Sequence, residues 1–562
     1  MPSGFYTRFL ILIAGLGGLL YGIDVGIIAA ALLYLSKTID LTVAQTSIVV
    51  AAVLGGSVVS SPIAGIMGDW WGRKPMMIIS GLMFVASVGL IVLSQGFASL
   101  FLGRLLQGMS GGVIGVVVPL YLAECLGPEN RGRGTAIFQF MLTFGIVVAA
   151  GVGWYYTRQA ETTIAHAAGN VALIHAAQNH AWRSMFLAVI YPGILFFIGA
   201  FALSESPRWL VRKGRTSQAL QALQRSLSSH EAEREMREMQ AVVQHPAGGA
   251  AIHKSESLLQ RKYVIPFVLA CVVLSLNQTT GINSVLAFLV IILKQAGLAS
   301  THATQGDVAV KVMNCLMTLV AVALVERKGR KFLLKLGTGG VVVAFVAAGA
   351  IFLGIESGRT DVKSRLIAAE SGNTLTLPAN ASTLGPGPQG RAMALNVLYS
   401  YGDGSHMATV LSNDADPVLK LEPPSPGDHA PLQILRAMYG PVPGAATGWL
   451  VALCMALFIA SYATGPGVVV WLVLSELMPT RIRSVGMGIA LLLNQGISTA
   501  IAAVFLPVVG NWGYSAMFFF WAVCTVLYFI TAAFFIPETK GKTLEEIEMH
   551  FSGTHPQESP AG

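Results

Sequence analysis

The sequence predicts an all-α membrane protein in which twelve transmembrane helices form two six-helix bundles. Its 562 residues are 54% hydrophobic and only 11% charged, whereas soluble proteins carry roughly 25% charged residues. The motif GDWWGRK at 68–74 returns as VERKGRK at 325–331, and each copy ends a long apolar stretch. A duplicated loop motif in so apolar a chain is typical of a membrane protein built from two repeats.

Twelve apolar segments are long enough to cross a bilayer, which takes about 20 residues of helix. They lie near 6–35, 43–68, 76–95, 98–125, 134–156, 183–204, 262–294, 306–325, 332–355, 447–477, 484–509 and 514–536. The first six predict an N-terminal bundle over 1–205, and the last six predict a C-terminal bundle over 262–537. The charged segment 206–261 has helical spacing and links the bundles, while 538–562 forms a tail.

Two further motif pairs extend the repeat and locate two insertions. AECLGPENRGRG at 123–134 pairs with SELMPTRIRSVG at 475–486, and SESPRW at 204–209 pairs with PETKGK at 537–542. The pairs are spaced unequally in the two halves, so extra residues lie at about 157–182 and about 356–446, on the same side of the membrane. The larger insertion is rich in Gly, Pro, Ser and Asn and has no cysteine. We therefore expect it to be irregular or partly disordered.

Lysine and arginine collect in the motif loops and in the linker 206–261, whereas the opposite connections are nearly bare. Short basic loops stay in the cytoplasm. We therefore expect a cell-membrane protein, embedded in the lipid bilayer, with both termini cytoplasmic and both insertions external. This distribution also accounts for the net charge of +8 without a nucleic-acid partner.

The sequence predicts neither a metal nor a cofactor. The five cysteines lie in or beside spans without any CxxC motif, so a disulfide framework or zinc site is not expected. Three histidines, His166, His175 and His180, lie in the smaller insertion, but their spacing matches no common set of metal ligands. No phosphate-binding motif of the ATPase type appears either, so ATP is not expected to drive this protein.

Two ionisable residues of opposite sign lie within predicted spans. Asp24 is in span 1, in the string GLLYGIDVGII, and Arg104 is in or at the edge of span 4. A charged group inside a span is costly and usually has a partner and a function. The carboxyl of Asp24 could take up a proton on one side and release it on the other, as its exposure and its distance to Arg104 change. The alternative is a static salt bridge that fixes spans 1 and 4.

The motifs as a set resemble the sugar porter family of the major facilitator superfamily. The matching strings, in order, are GDWWGRK, GRLLQG, PLYLAE, RGRG, SESPRW, QTTGIN, VERKGRK, WLVLSE and PETKGKTLEEIE. The resemblance implies the major facilitator fold, a monosaccharide or polyol bound midway through the membrane, and alternating access rather than enzymatic catalysis. It also places Asp24 and Arg104 on the pair that distinguishes proton symporters from uniporters, which lack the acid.

Amides within the spans are candidate sugar ligands, because an amide both donates and accepts hydrogen bonds as a hydroxyl does. The resemblance matches six positions to sugar contacts: Gln139, Gln278, Asn283, Asn314, Trp471 and Asn494. The candidate substrate-binding residues are Gln139, Asn277, Gln278, Asn283, Asn314, Trp471, Asn494 and Gln495. Gln278 and Asn283 would project about 140° apart on a continuous helix. Either one of them reaches the cavity from its edge, or span 7 is broken at Gly281. For any single amide the alternative is a hydrogen bond between helices.

Several positions depart from the family's pattern. Asn277 stands where relatives commonly have a first glutamine, and Ala287–Phe288 stands where they often have an aromatic pair. Gln495 replaces a tryptophan. The predicted pocket has therefore lost aromatic surface and gained amide, which leaves the identity of the sugar open.

The charged residues of the motif loops predict a charge latch on the cytoplasmic side. Its members are Asp69, Arg73, Glu124, Arg131, Glu205, Arg208, Glu326, Arg330, Glu476, Arg483 and Glu538. One exposed ion pair contributes only about 0–1 kcal/mol, so only the network could bias a conformational equilibrium. The alternative is simple anchoring of basic loops in the cytoplasm, which does not explain the acidic partners.

Together these features predict a proton-coupled symporter of a hexose or pentose that works as a monomer by alternating access. Three alternatives remain open. The substrate could be inositol or another polyol, or the protein could be a uniporter with an inert Asp24. It could also be a sugar sensor that does not transport, although sensors tend to carry long tails and here only about 20 residues follow Glu538.

Overall fold

Twelve helical segments in the described part of the chain are long and apolar enough to cross a membrane. The computed structural model describes residues 3–126, 128–244, 260–371, 373–385, 391–412, 417–423, 431–478 and 482–538. The predicted fold class and number of spans are therefore confirmed. An even number of spans puts the linker and both chain ends on one side, called the linker face. Both insertions emerge on the other side, called the insertion face.

The first half contains six spans followed by the linker helices. Span 1 consists of α1 (Ser3–Gly26) and α2 (Ile28–Thr38), spans 2–5 are α3 (Val43–Trp71), α4 (Arg73–Val92), α5 (Phe97–Cys125) and α6 (Pro128–His166), and span 6 consists of α7 (Val171–Ala188) and α8 (Ile190–Ala202). The linker contains α9 (Pro207–Arg212), α10 (Thr216–Ser226) and α11 (Ser229–Gln244). The predicted helical linker is thus present over its described residues.

The second half repeats this arrangement. Span 7 consists of α12 (Arg261–Thr279) and α13 (Ile282–Gln295), and spans 8 and 9 are α14 (Ser300–Lys328) and α15 (Arg330–Ser357). The large insertion follows, with β1 (Thr360–Asp361), α16 (Lys363–Ala368), β2 (Leu375–Pro378), α17 (Ala381–Leu384), β3 (Met393–Ser400), β4 (Ser405–Leu411), β5 (Val418–Leu421) and β6 (Gln433–Pro441). Span 10 consists of α18 (Ala445–Thr464) and α19 (Pro466–Leu477), span 11 is α20 (Arg483–Trp512), and span 12 is α21 (Tyr514–Ile530) extended by the π-helical turn Thr531–Phe535.

The smaller insertion is helical and lengthens spans 5 and 6. Span 5 continues to His166, and the next helix begins at Val171 with Asn170 as its N-cap, whose side-chain oxygen accepts the N–H groups of Ala172 and Leu173. The buried indole of Trp182 donates to the Thr38 hydroxyl at 2.8 Å. This contact ties the extended helices to the outer end of span 1.

The larger insertion is a folded domain, so the expectation of an irregular segment is wrong. Its strands form a four-stranded antiparallel sheet in the order β1-β6-β3-β4, and β2 pairs with β5 in a second small sheet. Apolar residues of β3, including Leu395 and Val397, are fully buried in a core that belongs to the domain alone. Much of the Gly- and Pro-rich sequence, at 386–390 and 424–430, lies outside the described residues. The strands between those runs contain enough apolar side chains to form a core.

The inserted domain contacts both halves of the molecule. Arg436 donates to the carbonyl oxygens of Gly510 and Asn511, at 3.1 and 3.2 Å, at the outer end of span 11. Its attachment to the other half is weaker, because His406 of β4 lies 3.7 Å from the exposed Asp40 between spans 1 and 2. The domain is therefore carried by the C-terminal half and reaches across to the N-terminal half.

The two bundles meet along spans 2 and 11 and along spans 5 and 8. On the insertion face α2 also packs against α13, and the Ser47 hydroxyl accepts the Leu506 N–H at 3.0 Å. Near the middle of the membrane the Thr143 hydroxyl lies 3.6 Å from the Cys315 sulfur. Among the described residues, the hydrogen bonds that join the two bundles lie in the middle or on the insertion face. The structure is therefore closed on the insertion face.

Glycines allow spans 2 and 4 to approach closely. A Cβ added to Gly108 would lie 2.0 Å from the Val53 carbonyl oxygen, and one added to Gly56 would lie 2.3 Å from the Leu105 carbonyl oxygen. Small residues at such crossings bring helix backbones into contact within the membrane. The N-terminal bundle thus contains at least one crossing that admits no side chain.

We expect Gly108→Ala to destabilise the protein, because overpacking a close crossing costs typically about 1–3 kcal/mol. Gly65→Ala in span 2 is the matched control, since an added Cβ there meets nothing within 4 Å. The measurement is the melting temperature of the purified protein in detergent. Equal melting temperatures for the two variants would contradict the close crossing.

Candidate functional site

Span 7 is broken within the predicted substrate-binding region. Its first helix ends at Thr279 and its second begins at Ile282, and Gly281 between them has a φ of 72°. A Cβ at Gly281 would lie 2.3 Å from the Trp521 ring, so this glycine is required by its conformation and by its space. Of the two predicted geometries for span 7, the break at Gly281 is the one that forms.

The break brings Gln278 and Asn283 into direct contact. The Asn283 amide donates to the Gln278 side-chain oxygen at 3.1 Å and to the Ser498 hydroxyl at 2.7 Å. Gln278 in turn donates to the Asn494 side-chain oxygen at 3.2 Å. Asn494 is fully buried and donates to the Leu274 carbonyl at 3.1 Å. Spans 7 and 11 are therefore joined by a continuous row of amides, called the amide row.

Asn277 points to a different neighbour. Its amide nitrogen donates to the Tyr462 hydroxyl of span 10 at 3.2 Å. Its side-chain oxygen is buried and has no hydrogen-bond partner among the described residues. An unpaired buried acceptor of this kind is ready to receive a donor from a ligand. Ser498 and Tyr462 were not predicted, although each is a polar residue in an otherwise apolar stretch.

The other four predicted substrate residues are distributed around the two bundles. Asn314 of span 8 is buried, and Gln139 of span 5 is exposed one helical turn before Thr143, which contacts the residue after Asn314. Gln495 of span 11 is half-buried and faces the Tyr21 hydroxyl of span 1. Trp471 of span 10 is 42% exposed, so much of its ring is open to a ligand or to the surroundings.

Asp24 and Arg104 are both buried in the N-terminal bundle but do not form a direct ion pair. Each is 1% exposed, and no Asp24–Arg104 contact within 4.0 Å occurs among the described salt bridges. Arg104 instead donates to the Gln107 side-chain oxygen at 2.6 Å and lies 5.6 Å from the centroid of the Phe186 ring. A static salt bridge between spans 1 and 4 is therefore not the arrangement in this structure.

Gln107 lies between the acid and the base. Gly111 of span 4 lies against Asp24, since a Cβ added there would be 3.2 Å from an Asp24 carboxylate oxygen. Gln107 and Arg104 lie four and seven residues before Gly111, on the same face of the helix. Both Asp24 oxygens and the Gln107 amide nitrogen are buried and lack a hydrogen-bond partner in the described chain. The sequence analysis missed Gln107, whose signal is its polarity one turn from Arg104.

The loop charges form a network within the N-terminal bundle. Arg73 is nearly buried and binds both oxygens of Glu124 at 2.9 Å, with a further contact to Asp69 at 2.9 Å. Arg212 of the linker helix α9 approaches Asp69 and Glu124 at 3.4 and 3.6 Å. The Trp209 indole donates to the Asp69 carbonyl at 2.9 Å. The network therefore fixes the linker to spans 2–4.

A carboxylate at the start of span 3 completes this network. Glu205 accepts the backbone N–H groups of Arg73 and Lys74 at 2.9 and 3.2 Å. Gly72 before them has a φ of 108°, and a Cβ there would lie 2.2 Å from the Glu205 carboxylate. Burial raises the pKa of the Glu205 carboxyl, and the backbone N–H groups of Ser206, Lys74 and Arg73 oppose that rise by stabilising its charged form.

In the second half, a carboxylate again accepts the backbone N–H groups at the start of a helix at two places. Glu538 accepts the N–H groups of Arg330 and Lys331 at the start of span 9, behind Gly329 with a φ of 89°. On the insertion face, Glu356 accepts the Tyr514 N–H at 2.7 Å at the start of span 12, behind Gly513. Negative charge at a helix N-terminus is stabilised by the free N–H groups and the helix dipole.

Some of the residues predicted to form a charge latch form ion pairs in the structure. Arg330 pairs with Glu476 at 3.1 Å, and Arg208 is exposed. The side chains of Arg131, Glu326 and Arg483 lie outside the described residues. The described ion pairs lie within one bundle, between the first bundle and the linker, or at the inserted domain, and none of them joins the two bundles on the linker face.

Comparisons with known proteins agree on one family. The family model described as "Sugar (and other) transporter" matches residues 10–369 and 435–551. A galactose-proton symporter of Escherichia coli is 26% identical over 544 residues, covering 96% of this chain and 94% of the relative. The glucose transporter GlcP of Staphylococcus epidermidis is also 26% identical, over 549 residues, covering 96% of this chain and 97% of the relative.

The fold agrees with solved structures. An inward-open structure of the xylose transporter XylE from Escherichia coli matches with a TM-score of 0.66 at 21% identity, covering 96% of this chain and 98% of that chain. The gap in the family match, 370–434, coincides with most of the inserted domain. The domain is thus an addition to the shared twelve-span fold.

We expect Arg73→Lys to lower stability by about 1–3 kcal/mol, because a lysine ammonium cannot bind both oxygens of Glu124. Arg212→Lys is the matched control, since the Arg212 side chain is 49% exposed and such sites change stability by only about 0.5 kcal/mol. Thermal unfolding of both variants measures the difference. A larger loss at Arg212 than at Arg73 would contradict the network as described.

Proposed function

This chain belongs to the sugar porter family of the major facilitator superfamily, and on that premise we propose that it carries a monosaccharide across the cell membrane together with a proton. The observation that carries the proposal is the amide row at the break of span 7, next to a bundle that holds a buried, unpaired carboxylate. The protein is a transporter and not an enzyme. The linker face is proposed to be cytoplasmic, in keeping with its arginine- and lysine-rich loops.

The amide row supports a hydroxyl-rich substrate. Its members already exchange hydrogen bonds with one another, so a bound sugar can replace these bonds without leaving buried groups unpaired. Asn277 adds an acceptor with no partner among the described residues, and Trp471 adds an aromatic face. We propose that Gln139, Asn314 and Gln495 approach the same ligand from spans 5, 8 and 11.

The side chains of the amide row are neutral, which favours an uncharged ligand. A hexose or a pentose fits this chemistry, and inositol or another polyol presents the same hydroxyl groups. The loss of aromatic surface at 287 and 495 favours a ligand bound mainly through hydrogen bonds rather than through stacking.

Asp24 supports proton coupling. Its buried carboxylate oxygens have no hydrogen-bond partner in the described chain, an arrangement that is costly for a fixed charge and favourable for a group that gains and loses a proton. Arg104 is held by Gln107 instead of by Asp24. We propose that Gln107 and Arg104 approach Asp24 in one conformation and release it in the other.

The closed insertion face supports alternating access. The bundles are held together there and in the middle by hydrogen bonds between spans 2 and 11, spans 5 and 8, and spans 1 and 8. We propose that the charged residues of the loops stabilise the first bundle together with the linker, and the second bundle by itself, so that the bundles rock as two bodies.

We expect Asp24→Asn to abolish proton-driven accumulation while leaving exchange of the sugar. Native protein and variant are reconstituted in proteoliposomes with an imposed pH gradient and tested on labelled hexoses, pentoses and inositol. A membrane potential of 100 mV provides roughly 2.3 kcal/mol per charge, enough for more than tenfold accumulation with one proton. Asp40→Asn is the control, because Asp40 is an exposed acid outside the bundles.

Three results would contradict this proposal in different ways. Equal equilibration by the native protein and the Asn variant, without accumulation, would make the protein a uniporter. Accumulation by both would show that another group carries the proton. Failure of the native protein to move any compound of the panel would overturn the substrate class itself.

We expect Asn283→Ala to raise the KM for the transported sugar about tenfold, since it removes a donor shared by spans 7 and 11. Asn511→Ala is the control, because Asn511 is exposed at the outer end of span 11 and, among the described residues, its side chain bonds only to the Pro507 carbonyl. Initial rates of uptake across a range of sugar concentrations measure the KM. An unchanged KM in Asn283→Ala would remove Asn283 from the substrate site.

A further inference from the structure

Span 8 contains a second pair of charged residues inside the membrane. Asp307 and Lys311 lie one helical turn apart, and the Lys311 ammonium is 2.8 Å from an Asp307 carboxylate oxygen. Their side chains are 1% and 0% exposed. Neither residue belongs to a loop motif, and neither belongs to the amide row or to the Asp24 site. Such a buried ion pair adds little to stability, because the desolvation penalty of the two charges can equal or exceed their mutual attraction. The pair therefore suggests a role other than stability.

Lys311 has a second partner in the opposite bundle. Its ammonium donates to the Gly26 carbonyl of span 1 at 3.1 Å. Span 1 is interrupted at this point, since α1 ends at Gly26 and α2 begins at Ile28. The last carbonyls of a helix lack intrahelical partners and take donors from elsewhere. Lys311 therefore supplies the donor that the interruption requires.

The contact lies between the two sites already described. Gly26 follows Asp24 by two residues, and Lys311 precedes Asn314 by three, which places Lys311 and Asn314 on one face of span 8. The bond thus connects the segment of span 1 that carries the acid to the helix that carries a proposed sugar ligand. It also crosses between the bundles on the side where the structure is closed.

The two partners of Lys311 differ in what bundle motion does to them. Asp307 is on the same helix, so it moves with Lys311 and compensates its charge in every conformation. Gly26 is on the other bundle, so its carbonyl leaves Lys311 when the bundles separate on the insertion face. The hydrogen bond between Lys311 and Asp307 is therefore kept in every conformation, whereas the bond between Lys311 and Gly26 exists only while the insertion face is closed.

We propose that Lys311 is a positioning residue of the transport cycle, which holds the interruption of span 1 against span 8 while the insertion face is closed and releases it when that face opens. Asp307 keeps the ammonium compensated in both states. The proposed effect on transport rests on the proposed function, whereas the effect on closure does not. The competing explanation is a purely structural ion pair within span 8.

Two double variants separate these explanations. The swap D307K/K311D keeps a buried ion pair within span 8 but moves the ammonium one turn away from Gly26. The neutral variant D307N/K311M removes both charges together, which avoids leaving one of them buried and uncompensated. Lys311→Arg is the conservative control, because it retains a cationic donor for both Asp307 and Gly26.

Closure is measured without any substrate. Spin labels at Ser36 and His302, exposed positions on the outer ends of spans 1 and 8, report the distance between the bundles in a background with the five cysteines replaced by serine. We expect the population with a long distance to rise about tenfold in both double variants, the worth of one charge-assisted hydrogen bond. Lys311→Arg should retain the native distribution.

Sugar exchange supplies the second readout. The maximal exchange rate should fall about tenfold in the double variants, while the equilibrium affinity for the sugar changes less than threefold. Native distances and native exchange in a folded swap variant would overturn the proposal in favour of a structural pair. Failure of both double variants to fold would also overturn it, since the pair would then be required for folding. If the native protein moves no sugar, the proposed function fails, but the distance measurement still tests whether Lys311 stabilises closure of the insertion face.

Discussion

The structure depends on one constraint: a polar group enclosed among apolar helices must find a partner inside the protein, because no water is there to supply one. The constraint is strongest where helices start, end or break, because backbone groups there lack partners within the helix. Three helices begin behind a glycine with a carboxylate from a distant segment on their free N–H groups: Glu205, Glu538 and Glu356. Where span 1 is interrupted, an ammonium from span 8 provides the missing donor. These partners are far apart in sequence, so each one also fixes how the helices pack.

Some of the groups that escape the constraint lie where function is proposed. Both carboxylate oxygens of Asp24 and the side-chain oxygen of Asn277 are buried without a partner among the described residues. Proteins rarely retain such groups for stability, since each one costs folding free energy. They are suited instead to a proton or a ligand that completes them for part of a cycle. In the charge network on the linker face, Arg73 binds both carboxylate oxygens of Glu124, which suits elements that move as rigid bodies.

The sequence was sufficient for the spans, the duplication and the family, because hydrophobic length and repeated motifs are local signals. The spacing of Gln278 and Asn283 left the break at Gly281 as one of two possible geometries, and the structure decided between them. Partners across the fold could not be anticipated in the same way. Gln107 and Lys311 are visible as polar residues in apolar stretches, but their importance depends on which helix lies opposite. The inserted domain was misjudged because its Gly- and Pro-rich runs dominate its composition, whereas its strands carry the apolar core.

The inserted domain has a practical consequence for imaging. Transporters of this size present little mass outside a detergent micelle or nanodisc, so single particles are hard to align. Here a sheet with its own core stands on the insertion face and is bonded to the end of span 11 through Arg436. Because it is inserted between spans 9 and 10 and bonded to span 11, it can serve as a built-in fiducial for assigning particle orientation. The tilt of this marker relative to the membrane plane would then report the state of each molecule directly.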